Sequence, residues 1–181
     1  MLIRFLEDQD ARKYWLNDSQ LVFLTMSLQK GNGDVKALLQ KVLNAEVSSD
    51  VAEPQSIDHG LLIFLGVAET DTEQIAQCMI HKIIHLRIFD GGGSKFDRSL
   101  LDIDGEALVI SQFTLFADTS RGRRPSFRKA ARPEKAEAIF RYFCDQLEAA
   151  GPQAVRRGTF GSRMIVKACN FGPFSVPLEI P

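Results

Sequence analysis

The sequence has no apolar run long enough to cross a membrane and few cysteines. Its longest apolar stretches, such as residues 61–67, are far shorter than the roughly 20 residues that a membrane helix needs. Residues 1–8 lack the basic region and the long apolar stretch of a secretory signal peptide. The three cysteines, Cys78, Cys144 and Cys169, are odd in number and widely spaced, which argues against a disulfide framework. These absences predict a cytoplasmic protein with reduced thiols and no membrane partner.

The sequence also lacks an excess of charge of either sign. Its 22 Lys and Arg residues nearly balance its 23 Asp and Glu residues, which gives a net charge of −1. A nucleic-acid partner would therefore have to be held by a local basic patch rather than by a general positive field. His81 and His85 lie four residues apart on a predicted helix, but no cluster of Cys, Asp or His offers a third metal ligand. No metal and no cofactor are predicted.

The length and the hydrophobic pattern predict one domain with a proper core, since 45% of the 181 residues are hydrophobic. Two main helices are predicted, one opened by a capping box at residues 70–73 and one that begins at Pro133 and ends before Gly151. The remaining elements are predicted strands, at residues 36–47, 60–66, 86–89, 107–113, 154–160, 164–169 and 174–180. Pro177 places the last strand at an edge or a bulge.

Because the strands outnumber the helices, the predicted fold is α/β: a single domain with a mostly antiparallel sheet or barrel and two main helices packed on it. Residues 1–34 follow a different pattern, since a glycine-rich break at residues 31–34 separates them from the regular elements. They are interpreted as an N-terminal extension of unknown role, which leaves residues 35–181 as the domain.

A polar segment, Ser111-Gln112-Phe113-Thr114-Leu115, lies at the end of the strand predicted at residues 107–113. A strand end that opens onto a loop is a usual place for a site, and this segment brings hydroxyl and amide groups to it. Thr114 has a hydroxyl, but no His and Asp pair in the sequence announces itself as its activator. From the residues alone, a functional role and a set of structural hydrogen bonds both stay open.

A second motif, Asn170-Phe171-Gly172-Pro173-Phe174-Ser175, lies near the C-terminus. Its Gly-Pro pair predicts a tight turn. Since only about 5–6% of the peptide bonds before proline are cis in folded proteins, the residues alone favour a trans bond here.

Between the two motifs lies a strongly basic loop, in which six of the twelve residues from 121 to 132 are Arg or Lys. A guanidinium group binds phosphate through two parallel hydrogen bonds, which an ammonium group cannot match. The loop therefore predicts a surface that binds an RNA backbone, with a solvated basic loop as the alternative. The candidate phosphate-binding residues are Arg121, Arg123, Arg124 and Arg128.

Taken together and in this order, these motifs resemble those of the D-aminoacyl-tRNA deacylase family. The resemblance runs over residues 35–180 and includes segments 37–42, 60–67, 111–115, 117–119, 122–127, 158–161 and 170–173. It implies the reaction of that family: hydrolysis of the ester that joins a D-amino acid, or glycine, to the 3′ end of tRNA, as a proofreading step of translation. It also implies a homodimer with aminoacyl-tRNA as substrate and with the active sites at the dimer interface.

The resemblance also implies a role for each motif. The catalytic pocket of one subunit would be lined by the polar segment, that is, by Ser111, Gln112, Phe113 and Thr114. A chirality gate with a cis Gly-Pro bond would reach in from the other subunit and would comprise Asn170, Gly172 and Pro173. An aminoacyl ester is already activated, so positioning and oxyanion stabilisation carry the catalysis, and the free 2′-hydroxyl of the terminal ribose can assist. Thr114 is then a positioning hydroxyl, with a covalent nucleophile as the alternative.

The chain departs from the family pattern at three places. Lys41 stands where the family commonly has Arg, whose planar fork can brace two carbonyl groups. Phe171 replaces a small acidic residue before the gate glycine, and Phe174-Ser175 replaces Val-Thr after the proline. Two other functions stay open: a relaxed deacylase that acts on a mischarged L-aminoacyl-tRNA, and a non-catalytic nucleic-acid-binding dimer of the same fold.

Overall fold

The computed structural model describes residues 34–180, so the expectation of an N-terminal extension lies, apart from residue 34, outside the described residues. Two short 3-10 helices, Leu101–Ile103 and Phe113–Phe116, lie between the regular elements. The strands and α-helices are β1 (Val35–Ser49), β2 (Ala52–Ile57), β3 (Gly60–Gly66), α1 (Glu73–His85), β4 (Glu106–Ser111), α2 (Pro133–Ala149), β5 (Val155–Arg157) and β6 (Met164–Ile180).

The long strand β1 stands in the middle of the sheet. One of its edges pairs with β6 along nearly its whole length, and its other edge pairs first with β3 and then with β2, all antiparallel. Strand β4 joins β3, and β5 joins β4, both in parallel. The result is a nearly closed, barrel-like sheet. It confirms the predicted α/β fold with two main helices, and the parallel pairings are confined to β3, β4 and β5.

The two helices cover one face of the sheet. Alternate side chains of the strands, such as Leu39 of β1 and Ile63 of β3, are fully buried on this face. They pack against the apolar stripes of the helices, which include Met79 of α1 and Phe143 of α2. Because β3 is buried on both faces, its sequence is apolar without alternation. The other face holds a smaller cluster formed by Val42, Ala45, Val47, Ile57, Leu62, Leu108 and Ile110.

The start of α1 differs from the predicted capping box. The prediction used Thr70 as the cap, but the helix begins at Glu73 and its N-cap is Thr72. The Thr72 hydroxyl accepts a hydrogen bond from the backbone amide of Ile75 at 3.4 Å, which satisfies one of the free amides of the first turn. The second helix begins at Pro133, as predicted.

Three predicted strands also differ from the structure. Residues 86–89 form only an isolated bridge, between Phe89 and Arg98. The chain between these two residues is a loop, so residues 86–89 have no neighbouring strand with which to form a longer ladder. The strand predicted at residues 154–160 is limited to β5, since only this part pairs with β4. The two strands predicted after residue 164 are one strand, β6, because both halves pair with β1. Pro177 lies on β6, which pairs with β1 alone among the described strands, as predicted for an edge.

Gly60 of β3 pairs with Glu106 of β4, and a Cβ atom at Gly60 would lie 1.9 Å from the backbone oxygen of Glu106. Gly60→Ala should therefore lower the free energy of unfolding by about 3 kcal/mol, because the two strands would have to move apart. Thermal unfolding followed by circular dichroism measures the effect. Gly92→Ala is the matched control, since nothing lies within 4 Å of its added Cβ. Equal midpoints for the two variants would contradict this account.

Candidate functional site

The polar segment begins at the last residue of β4. Ser111 pairs with Leu65 at the end of the parallel ladder, and the backbone amide of Gln112 donates to the carbonyl of Leu65 at 2.7 Å. The chain then turns into the 3-10 helix Phe113–Phe116, so the predicted strand ends at Ser111 rather than at Phe113. This turn lifts Phe113 out of the sheet and leaves it 58% exposed.

The side chain of Thr114 is held by its neighbour. The side-chain amide of Gln112 donates a hydrogen bond to the Thr114 hydroxyl oxygen, which leaves the hydroxyl proton available to another acceptor. Among residues 34–180, no carboxylate or imidazole forms a hydrogen bond with this hydroxyl, so no general base is placed to activate it within this part of the chain. Phe113 and Thr114 are the first two residues of their 3-10 helix, so their backbone amides have no hydrogen-bond acceptor within that helix. The segment therefore presents hydrogen-bond donors rather than an activated nucleophile.

A cavity of about 450 Å³ opens beside this segment, a volume typical of small-molecule sites. Ser111, Gln112 and Phe113 lie in its wall, and the rest of the wall is largely apolar. The Phe113 and Phe127 rings meet edge to face, with their centroids 5.1 Å apart. Phe160 also lines the cavity. The cavity therefore combines polar groups at one strand end with aromatic walls.

Sequence reasoning did not predict that the start of α2 forms part of this wall. Pro133, Ala136 and Phe140 line the cavity, whereas the sequence predicts only that a helix begins at Pro133. No local signal in the sequence marks this second role. It arises because Ala131, just before the helix, donates a backbone hydrogen bond to Val67 at 2.9 Å and so holds the helix start beside β3.

The Gly-Pro turn, Gly172-Pro173, lies in the middle of β6. Its peptide bond is cis, so the expectation of a trans bond from the residues alone is wrong and the geometry implied by the resemblance is present. Gly172 has a φ of +121°, a backbone conformation that residues other than glycine rarely adopt. Asn170, Gly172 and Pro173 are exposed, and none of them lines the cavity beside Ser111. One chain therefore does not bring the two predicted halves of the site together.

The basic loop projects from the domain. Asp118 and Ser126 exchange two backbone hydrogen bonds, of 2.8 and 2.9 Å, which close the arginine-bearing tip. All four predicted phosphate-binding arginines are exposed. Within the described part of the chain, none of them forms an ion pair with an acidic residue. Arg121 and Arg128 also line a groove of about 510 Å³. These four arginines thus present positive charge that is not paired with a carboxylate of the described residues.

In residues 34–180, burial makes two of the three thiols unreactive, and no cluster of metal ligands adds a further reactive group. The three cysteines are free, and burial raises the pKa of Cys144 to about 12 and also raises the pKa of Cys78. Such thiols are protonated at neutral pH and are poor nucleophiles. In the same residues, no group of three or more His, Cys, Asp or Glu side chains is placed to hold a metal ion. No helix there is long and apolar enough to cross a membrane.

Solved structures with this fold include two that each cover 81% of this chain. A c-Myc DNA unwinding element binding protein superposes with a TM-score of 0.76 and 34% sequence identity, over 81% of this chain and 99% of that one. A probable eukaryotic D-amino acid tRNA deacylase superposes with a TM-score of 0.74, over 81% of this chain and all 100% of the other. The second shares only 16% sequence identity, so that likeness concerns the fold alone.

Sequence comparison identifies the family. A model of the D-Tyr-tRNA(Tyr) deacylase family matches residues 38–179. The D-aminoacyl-tRNA deacylase of Roseiflexus castenholzii is 48% identical over 145 residues, which cover 80% of this chain and 92% of that protein. The corresponding protein of Salinibacter ruber is 45% identical over 143 residues, or 79% and 95% of the two chains. The chain belongs to the D-Tyr-tRNA(Tyr) deacylase family.

Proposed function

We propose that this chain hydrolyses the ester that joins a D-amino acid, or glycine, to the 3′ end of tRNA, and so releases the free amino acid and the tRNA. The observation that carries the proposal is that Ser111, Gln112 and Phe113 line a mainly apolar cavity, while Thr114, the next residue, has its hydroxyl held by Gln112. An aminoacyl ester is already activated and needs positioning and stabilisation of its developing oxyanion more than it needs a strong nucleophile. The arrangement suits this substrate.

The mechanism follows from the donors. The backbone amides of Phe113 and Thr114 stabilise the oxyanion that forms when water adds to the ester carbonyl carbon. The bond between that carbon and the 3′-oxygen then breaks. The neighbouring 2′-hydroxyl takes a proton from the water and passes one to the leaving 3′-oxygen, so no protein base is needed. Gln112 holds the Thr114 hydroxyl oxygen, and the Thr114 proton orients the substrate.

The cavity suits the terminal adenosine of tRNA. Phe113, Phe127 and Phe160 line it with aromatic rings. Bases that are not paired stack on such rings with little dependence on sequence. An adenine bound there would place the terminal ribose, and the ester that it carries, beside the donors of the polar segment. The site would then recognise the common end of all tRNAs rather than one amino acid.

We place the chirality gate in a second copy of the chain. Strand β6 has one edge without a strand partner among the described residues, and exposed apolar side chains lie on it, with Ile165 66% and Phe171 49% exposed. Pairing of two copies there would cover these side chains and bring the turn of one copy to the cavity of the other. The carbonyl groups of Gly172 and Pro173 would accept from the substrate ammonium. An L side chain would then collide with the turn, whereas a D side chain or glycine would not.

Single-turnover deacylation of matched D-tyrosyl-, L-tyrosyl- and glycyl-tRNA tests the function. The D-tyrosyl and glycyl esters should be lost quickly and the L-tyrosyl ester should survive. Rapid loss of the L ester would identify the relaxed deacylase instead. If every ester survived while the tRNA was bound, the protein would be a binding module without this activity.

Thr114→Ala should slow the D-ester reaction by about 100-fold, because a donor that positions the substrate is removed. Thr114→Ser keeps the hydroxyl and is the matched control, with a rate close to that of the wild type. The single-turnover rate constant at saturating protein separates this effect from weaker binding. A wild-type rate for Thr114→Ala would contradict the role assigned to the hydroxyl.

Arg123→Ala combined with Arg124→Ala should weaken tRNA binding for every tRNA alike. The slope of log K against log salt concentration should become shallower by about 0.7 to 0.9 for each phosphate that the loop no longer neutralises. Filter binding over a series of salt concentrations measures this slope. Arg141→Ala is the matched control, since Arg141 lies on α2 and pairs with Glu137. An unchanged slope for the double variant would remove the loop from the RNA-binding surface.

A heterodimer of two variants tests whether one site uses two chains. Thr114→Ala and Gly172→Ala should each be slow alone, the second because Gly172 has a φ of +121° that alanine adopts poorly. If each site combines the pocket of one chain with the turn of the other, one site of a mixed dimer has both changes and the other site has neither. Unfolding and refolding the two variants together should therefore restore about one quarter of the wild-type sites. No recovery in a sample that contains heterodimers would show that the two motifs do not act across the interface.

A further inference from the structure

Lys41, in the middle of β1, is the only basic side chain that is buried among the described residues, at 5% exposure. Its ammonium group donates to the carbonyl oxygen of Ile88 at 3.4 Å and lies 3.8 Å from a carboxylate oxygen of Asp90. An ammonium group has three N–H donors, and a buried charge without partners is costly. These two distant oxygens therefore account for only part of its stabilisation.

Three aromatic rings supply further stabilisation. Lys41 Nζ lies 5.2 Å from the ring centroid of Phe171, 5.5 Å from that of Phe174 and 6.0 Å from that of Phe89. All three distances are within the range of about 6 Å at which a cation is attracted to the negative face of a ring. The attraction is strongest where water is excluded, as it is around this buried lysine. We name Lys41, Phe89, Phe171 and Phe174 the lysine cage.

The lysine cage lies where the β1–β6 ladder is interrupted. Gln40 pairs with Ser175, and the next pair on this ladder joins Val42 to Asn170. The residues of β6 between these two pairs stand opposite Lys41 alone. They form a bulge without regular ladder hydrogen bonds, so side-chain contacts have to fix its direction. Two of the three cage rings belong to this bulge, one on each side of the Gly-Pro turn.

A loop outside the sheet supports the lysine cage. The bridge between Phe89 and Arg98 closes this glycine-rich loop. The ring of Phe96, within the loop, lies against that of Phe174, with their centroids 5.2 Å apart. Asp90, at the start of the loop, faces the Lys41 ammonium. One cation thus contacts both flanks of the turn and the loop that packs behind it.

We propose that Lys41 is a positioning residue that determines how strictly the reaction distinguishes D from L substrates. It holds Phe171 and Phe174, and through them it fixes the direction in which the Gly-Pro turn points. This inference rests on the proposed function, in which the turn rejects L side chains. Lys41 itself does not touch the substrate. Removal of its charge should therefore change the selectivity of the reaction more than the rate for the D ester.

The test is the ratio of kcat/KM for D-tyrosyl-tRNA to that for L-tyrosyl-tRNA. In Lys41→Met, which keeps an unbranched side chain without charge, this ratio should fall by about tenfold or more. Lys41→Arg keeps a cation and should restore most of the ratio. Lys36→Met is the matched control. Lys36 is also on β1, lies over the Phe116 ring at 5.3 Å and pairs with Glu179 at 3.4 Å, but it is outside the lysine cage, so the ratio should not change.

A second variant covers the case in which Lys41→Met does not fold. Phe174→Leu keeps an apolar side chain and removes one ring, and it should lower the same ratio. The variant that carries both Lys41→Met and Phe174→Leu should have a D-to-L ratio no lower than that of the less selective single variant. Both changes disrupt the same lysine cage, so their effects should not add. A purely structural role would lower the thermal midpoint and the D-ester rate and would leave the ratio unchanged.

The outcomes separate this inference from the proposed function. If the wild-type protein does not hydrolyse the D ester, the proposed function is wrong and the role of Lys41 falls with it. If the wild type hydrolyses the D ester and rejects the L ester, while both single variants keep its ratio, the function stands and the role of Lys41 is overturned. A fall in both variants, with rescue by Lys41→Arg, supports the proposal.

Discussion

The pairing of β1 on both edges is the constraint on which the rest of the structure depends. One edge pairs with β6, and the other pairs with β3 and β2. The register of β1 therefore decides where the end of β4 and the middle of β6 lie. A slip by one residue would move Leu39 from the face covered by the helices to the opposite face. The complete burial of Leu39 fixes this register, and with it the positions of the polar segment and of the Gly-Pro turn.

The burial of the parallel strands explains why the donors of the site lie where they do. Strands β3 and β4 are covered on both faces, which excludes polar side chains along their length. The apolar sequence of β4 ends at Ser111, and Gln112 makes the last hydrogen bond to β3. Beyond that point the backbone amides have no partner strand and turn into the 3-10 helix. Unpaired donors can therefore stand beside a cavity without interrupting the sheet.

The sequence predicts those elements whose signals are local. A continuous apolar run between two glycines identifies β3, and Pro133 fixes the start of α2. The cap of α1 is less well determined, because Thr70 and Thr72 both precede the helix and residue type alone does not choose between them. The cavity is not predictable in this way. Its wall joins Phe113 to residues far along the chain, and only the packed fold brings these together.

The positions at which the sequence predicts departures from the family pattern lie on two different strands but are adjacent in space. Lys41, Phe171 and Phe174 meet in the lysine cage. A lysine lacks the planar fork that would bind carbonyl oxygens, but its ammonium is attracted to the faces of aromatic rings. Without the two rings, Lys41 would be a buried cation with too few partners. Without Lys41, the two rings would have no cation between them. In this chain the three side chains therefore form one unit, held together by the attraction between a cation and the rings. It falls at a turn that the ladder does not support, so the three positions have to be compared as a unit when selectivity differs within the family.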